Sequence, residues 1–125
     1  MSTRRVAAVT GGASGIGAAA AQRFAADGYD IAVIDLAAEG KAPAERISAS
    51  GPNSRFYKCD VADPEAVDAV AQSVEKDLGP VTVLVTAAGL IPNTESVLDM
   101  DMTYHERMWN VNYNGTLYAC QSFAR

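Results

Sequence analysis

Two cysteines, Cys59 and Cys120, one histidine and one tryptophan are all that the 125 residues hold of these three types. The cysteines lack the C-x-x-C spacing, which argues against a disulfide scaffold and a zinc site and suits a reducing compartment. A cytoplasmic location is the expectation. Positive charge is scarce as well: 10 Lys plus Arg stand against 15 Asp plus Glu, a formal net charge of −5. Such a chain repels a phosphate backbone instead of displacing its counterions, so no nucleic-acid partner is expected. Long apolar runs are missing too. No uncharged stretch exceeds 17 residues, and the first of that length, Val6 to Gln22, is mostly Gly, Ala, Ser and Thr, shorter and less apolar than the roughly 20 residues of a spanning helix. Arg4 and Arg5 before it loosely mimic a signal peptide, but glycines interrupt the stretch and it contains neither Leu nor Phe. No membrane partner is expected. No repeat, low-complexity tract or linker is visible. A chain with 49% hydrophobic and 20% charged residues reads as one folded unit over residues 1–125.

Apolar runs alternate with helical patterns. Arg5 to Thr10 and Asp30 to Asp35 read as buried strands, Ser54 to Lys58 as a shorter one, and Pro80 to Thr86 as the clearest. Ile16 to Asp27 is Ala-rich and closes at Gly28, a helix with its stop signal. Ala37 to Ser50 is a weaker helix with Pro43 tolerable near its first turn. Asp63-Pro64 supplies an N-cap and a first-turn proline for a helix to Leu78. A polar loop precedes a last helix from about Met102 to the C-terminus. Strands separated by helices in this way predict an α/β fold with a doubly wound parallel sheet of order 3-2-1-4. The chain stops inside a helical pattern, after its fourth strand and the following helix.

Thr10-Gly11-Gly12-Ala13-Ser14-Gly15-Ile16-Gly17 joins the first strand to the first helix. Gly11 suits a tight turn, Gly15 the close approach of backbone N–H groups to a pyrophosphate, and Gly17 tight contact of helix on strand. The loop follows a strand, opens a helix, and is followed by an acidic residue at the end of the next strand, which is the context of a nucleotide-binding loop. The absence of Gly-Lys-Ser or Gly-Lys-Thr excludes a P-loop. Asp35 can accept hydrogen bonds from an adenosine ribose and would repel a 2′-phosphate, and neither Ser14 nor Leu36 offers a compensating cation. The expected cofactor is therefore NAD in preference to NADP. The plain alternative for Asp35 is a helix cap for Ala37 onward. Asp60, just past the third strand, can accept from an adenine amino group, but taken alone it reads more readily as a solvated turn acid.

Together these residues resemble the N-terminal half of a short-chain dehydrogenase/reductase. The pattern T-G-x-x-x-G-x-G from Thr10 to Gly17, with Ser14 and Ile16 inside it, is similar to that family's version of the loop. The resemblance implies an adenine-binding pair at Asp60-Val61, with Asp35 and Leu36 at the ribose. It also implies a segment beside the cofactor at Ala87-Ala88-Gly89, and a catalytic-tetrad asparagine at Asn112. Thr86 and Ala87 stand where the family has asparagines, which puts that segment's usual hydrogen bonds in question. Asn110, Asn112, Asn114 and Gly115 are poor helix formers, so their helix is held by packing or by a specific polar role, or else it is a frayed surface helix with solvated amides. The family's serine and Tyr-x-x-x-Lys pair are absent. The residues four after Tyr29, Tyr57, Tyr104, Tyr113 and Tyr118 are Val33, Val61, Met108, Leu117 and Ser122.

The implied function is the NAD-binding unit of an oxidoreductase, catalytically incomplete in this chain. A non-catalytic NAD-binding module or remnant is the first alternative. An S-adenosylmethionine-binding, methyltransferase-like domain is the second, against which the Thr10-Gly11-Gly12 opening and Asn112 argue. A homodimer is expected, through the edge of the fourth strand, the last helix or both. In helical projection one stripe of that helix holds Trp109, Tyr113, Thr116, Cys120 and Phe123, and a second holds Tyr104, Val111 and Tyr118. The resemblance places the matching helix at a subunit interface. Cys59 and Cys120 read as buried apolar residues, His105 as an exposed helix residue, and Glu95, Asp99 and Asp101 as a solvated loop and not a metal site.

Overall fold

The structure is a computed structural model that describes residues 3–91 and 96–125. Four parallel strands, β1 (Val6–Thr10), β2 (Asp30–Asp35), β3 (Ser54–Lys58) and β4 (Val81–Thr86), lie in the order β3-β2-β1-β4. Register follows directly from the apolar runs: Val6 to Thr10 stand opposite Asp30 to Ile34, and Ile31 to Asp35 opposite Ser54 to Lys58. Between β1 and β4 the register slips once, from Val6↔Val81 to Ala7↔Val83, and Thr82 is passed over.

The alternation of a strand sends Val6 and Ala8 to one face and Ala7 and Val9 to the other. On the first face they pack with Ala32 and Ile34 under helix α3 (Pro64–Leu78), through Val67, Val74 and Leu78. On the second they pack with Ile31 and Val33 under α1 (Gly15–Ala26) and α2 (Lys41–Ala49), through Ala21, Ala44 and Ile47. Burying a side chain such as Ile31 or Val74 stabilises the fold by about 1.5–3 kcal/mol. The expected doubly wound sheet is what these two layers make. Burial on both faces holds only for the central strands. β3 and β4 are half-buried because each has a neighbour on one side alone.

α3 begins at the predicted cap. The Asp63 carboxylate accepts from Glu65 N at 3.1 Å and Ala66 N at 3.3 Å, and Pro64 takes the first helical position, where no N–H is needed. α2 starts later than expected. Residues Ala38–Gly40 form a 3₁₀ turn, and the α-helix proper runs from Lys41. Pro43 is the reason: its ring would meet the carbonyl four residues back if regular α-helix continued through Glu39.

The last helix is one path with a wide turn in its middle: α4 (Met102–Trp109), a π-helical segment at Asn110–Asn114, and α5 (Gly115–Phe123). This segment corrects the helical projection. Val111 and Ala119 are buried, and Tyr118 and Phe123 pack against the first-face core, whereas Trp109, Tyr113 and Cys120 are exposed. Trp109 through Phe123 therefore do not form one stripe, because the π turn shifts the phase of everything after it. Cys120 consequently lies outside the core, contrary to the expectation. No helix of the described residues is long and apolar enough to cross a membrane.

Candidate functional site

The chain reverses its order between β1 and β4, so the loops leaving the C-terminal ends of the strands diverge there and leave a crevice. The crevice has a volume of about 350 Å³, within the range of small-molecule sites. Its floor is the glycine loop. Gly11 has φ +66°, and a Cβ there would stand 2.6 Å from Ala88 N, so only glycine lets the loop lie against the backbone that follows β4. A Cβ on Gly17 would collide with the Gly11 carbonyl. Gly17 thus secures contact of α1 with the loop itself and not, as expected, with the strand. Gly15, at φ +55°, has open space where its Cβ would point.

Ser14 is the N-cap of α1 with extended backbone, but its side chain makes no capping bond, and no acidic residue stands in the first turn. α3 and α4 are both capped by aspartates, Asp63 and Asp101. The α1 N-terminus, with its partial positive charge, therefore faces the crevice without a side-chain cap or a first-turn acid of its own.

Asp35 ends β2 at the rim. Its Oδ2 accepts from Ala13 N at 3.0 Å and its Oδ1 from Ala37 N at 3.0 Å. The helix-cap alternative is met only locally, since Ala37 is extended and the α-helix starts at Lys41. A carboxylate has about four acceptor positions, so Asp35 keeps acceptor capacity toward the crevice while fixing the glycine loop. Leu36 beside it is half exposed.

The opposite wall comes from the ends of β3 and β4. Asp60 Oδ1 accepts from Ala62 N at 3.0 Å, and Val61 is buried against Gly115 of α5. Ala87 N donates to the Thr10 carbonyl at 3.1 Å, and Ala88 N to Thr10 Oγ1 at 3.4 Å. These bonds hold the Ala87-Ala88-Gly89 segment although Thr86 and Ala87 replace the family's asparagines. Gly11, Ser14, Gly15, Ile16, Gly17, Asp35, Leu36, Asp60, Val61, Ala87, Ala88 and Gly89 all line this one crevice.

Asn112 does not line it. It sits in the π segment and grips one residue twice: Leu90 N donates to its Oδ1 at 2.7 Å, and its Nδ2 donates to the Leu90 carbonyl at 3.0 Å. Asn114 Nδ2 donates to Asn110 Oδ1 at 2.9 Å. The asparagines that weaken the helix thus have specific polar roles, and the frayed-face alternative falls.

Sequence reasoning missed Arg107. This residue of α4 also lines the crevice, and its Nη1 donates to Asp60 Oδ2 at 3.0 Å. The expectation that no cation stands nearby holds for Ser14 and Leu36 but not for the crevice as a whole. Cys59 lies in the same wall. Burial, with the charges of Asp60 and Asp63, pushes its thiol up to about 11, so it stays protonated and unreactive near neutrality. His105 is exposed on α4, as read. Asp101 caps α4 by accepting from Thr103 N at 2.9 Å. Asp99 accepts from Ser96 Oγ at 3.4 Å. Glu95 lies outside the described residues. Among the described residues no three His, Cys, Asp or Glu side chains are grouped to hold a metal ion.

Burial pushes the Asp60 carboxyl up, but the Arg107 hydrogen bond, the Ala62 N–H and the Arg107 charge outweigh it, and the group ionises below its ordinary value of 3.8. A carboxylate lowered on folding stabilises the fold above its unfolded pKa, and this contribution is lost as pH falls through the folded pKa. Arg107→Leu is therefore expected to lower the unfolding temperature at pH 6, with the gap to the parent chain closing below about pH 4. A gap that is independent of pH would contradict this. The check is thermal unfolding followed by circular dichroism across that range.

The fold and this crevice define a doubly wound α/β protein of the Rossmann type. A family model described as short chain dehydrogenase matches residues 5–125, and the chain belongs to that family. It is 40% identical to D-threitol dehydrogenase of Mycolicibacterium smegmatis, over 97% of this chain and 46% of that protein. Among solved structures, a blue fluorescent protein from a metagenomic library in complex with NADPH superposes with a TM-score of 0.88 at 37% identity, over 96% of this chain and 50% of that one. A metagenomic short-chain oxidoreductase in complex with NADP gives 0.89 at 28% identity, over 96% and 55%. The chain spans about half the length of the curated relatives it matches, in keeping with the N-terminal half that its motifs imply. The family match stands against the methyltransferase-like alternative.

Proposed function

We propose that this chain is the dinucleotide-binding part of a short-chain dehydrogenase-type oxidoreductase, that it takes NAD in preference to NADP, and that residues 1–125 act as one partial domain. The observation that carries the reading is that the glycine loop, Asp35, Asp60 and the Ala87-Ala88-Gly89 segment line one crevice, against an α1 N-terminus with no side-chain cap. Bound NAD would supply hydride transfer at its nicotinamide ring. The chain's own residues bind and orient it. Gly11, Gly15 and Gly17 shape the loop, and the first-turn amides of α1, with Ser14 and Ile16, face the pyrophosphate. Asp35 and Leu36 receive the adenosine ribose. Asp60 accepts from the adenine amino group, with Val61 beneath it. Asn112 holds the Leu90 backbone and, through it, the Ala87-Ala88-Gly89 segment beside the cofactor. Two similar proteins are solved with NADPH and with NADP. The preference for NAD rests on the Asp35 carboxylate of this chain.

Titration calorimetry tests that preference. The parent chain is expected to bind NAD at least about tenfold more tightly than NADP, the effect of one charge-assisted hydrogen bond of 1.5–3 kcal/mol and the matching repulsion. Asp35→Ala is expected to weaken NAD binding and narrow the ratio. Equal or tighter binding of NADP by the parent chain would overturn the preference.

The remaining parts of the proposal are a cytoplasmic location and a homodimer. Exposed apolar area supports the dimer. Trp109 and Tyr113 are 57% and 59% exposed and stack on each other at 5.1 Å, and β4 has an unpaired edge. Phe123 packs against the core, so Trp109 is the cleaner position to change. Sedimentation of the parent chain at tens of micromolar is expected to show a dimer and Trp109→Asp a monomer. A monomeric parent chain would refute the pairing.

A further inference from the structure

Asp60 and Arg107 come from elements 47 residues apart in sequence, one from the turn after β3 and one from α4, and both line the nucleotide crevice. The Asp60 carboxylate is held at both ends. Its Oδ1 accepts from the Ala62 backbone N–H and its Oδ2 from the Arg107 guanidinium, each at 3.0 Å. Two contacts on different oxygens fix the plane of the carboxylate, and each oxygen retains acceptor capacity. Arg107 itself is anchored by its helix. Tyr104 OH, one turn before it, donates to the Ile91 carbonyl at 2.6 Å, and Asn112, one turn beyond, grips Leu90. α4 and the π segment are thereby tied to the loop that follows β4.

We propose that Arg107 is a positioning residue for base recognition: by clamping the Asp60 carboxylate in one plane, it makes the crevice select a purine with an amino group at C6 over one with an oxo group there. The role rests on the nucleotide reading given above. An ionised carboxylate fixed in plane accepts from an exocyclic amino group and faces an oxo group lone pair to lone pair. A freely rotating carboxylate can turn away and avoid that repulsion. Arg107 works in the same direction only through Asp60. If its guanidinium met the group at C6 directly, it could only donate, and it would favour the oxo purine instead.

The opposite signs make the test decisive. The 125-residue chain and its Arg107→Leu and Arg107→Lys variants are titrated with NAD and with nicotinamide hypoxanthine dinucleotide, which differs in having an oxo group in place of the amino group on the purine. Circular dichroism at the titration temperature verifies folding of each protein. The parent chain is expected to prefer NAD by about tenfold or more, as one hydrogen bond to a charged group allows. Arg107→Leu is expected to bring the two affinities within about threefold, and Arg107→Lys, which keeps the charge without the planar fork, to recover much of the difference. A ratio unchanged in Arg107→Leu overturns the positioning role, and a ratio that rises overturns it in favour of direct contact between Arg107 and the base. If the folded parent chain binds neither dinucleotide, the nucleotide reading fails and the role fails with it. Should Arg107→Leu not fold, Arg107→Met, which keeps a long apolar stem without the charge, takes its place with the same expected and overturning ratios.

Discussion

Replacing Gly17 by alanine is expected to lower the stability of the chain by about 1–3 kcal/mol, the range for forcing extra volume into a packed site. The same change should weaken NAD binding about tenfold or more. A methyl group there would overlap the Gly11 carbonyl, come within 2.7 Å of the Gly11 carbonyl carbon and lie 3.2 Å from Gly12 Cα. All three are backbone atoms and cannot turn aside as a flexible side chain would. Alanine is otherwise the better helix former, by roughly 1 kcal/mol, so helix propensity alone predicts stabilisation and the collision predicts the reverse. The loop cannot retreat freely, because Gly11 lies against the Ala87–Ala88 backbone on its other side. Relief of the clash would separate α1 from the glycine loop and spread the first-turn amides that the pyrophosphate needs. Chemical denaturation and an NAD titration check both parts. An alanine variant that is as stable as the parent and binds NAD equally well would show that the loop is not packed in this way.

The second large effect is an absence of activity. The 125-residue chain as it stands is expected to give no measurable NADH from any secondary alcohol. A positioned proton donor or acceptor accelerates such a step by about 10²- to 10⁴-fold. The five tyrosines of the chain have no lysine four residues on. The proton affinity of Tyr57 is displaced in an unhelpful direction. Burial first, and then its 2.9 Å hydrogen bond to Asp77, push it upward, away from neutrality. Its hydroxyl ties β3 to α3 and faces no crevice residue. Asn112 meets backbone atoms of Leu90 and supplies no titrating group. Absorbance at the NADH band with a panel of secondary alcohols is the measurement. Robust turnover by protein freed of contaminating dehydrogenases would require a proton donor that the residues above do not include.

How much of this was legible in the sequence depended on whether the signal was local. β2, β3 and α3 begin and end where their residues predict, because their punctuation is adjacent: Asp63-Pro64 opens α3, and Gly79 closes it. The glycine loop and Asp35 were legible for the same reason, since the turn and the acid flank consecutive strands. The start of α2 was not, because the ring of Pro43 acts on a carbonyl four residues back. The inward face of the last helix was misread because projection assumed a uniform turn, and the π segment at Asn110–Asn114 changes the phase in its middle. Arg107 was invisible for a different reason. Its ion pair spans two elements that only the folded sheet brings together, and an arginine on an amphipathic helix carries no local mark of it. Asn112 was recognised by resemblance, but its physical task, a two-point grip on one backbone residue, required coordinates.

The central claim is that the crevice at the ends of β1 to β4 holds an adenine dinucleotide. Two-dimensional amide NMR of the labelled chain during addition of NAD tests it most directly. The expected result is saturable shifts confined to Gly11–Gly17, Asp35–Ala37, Cys59–Ala62 and Ala87–Leu90, with the far ends of α2 and α3 unchanged. A folded spectrum that does not respond to millimolar NAD, or that shifts only outside those segments, would contradict the account.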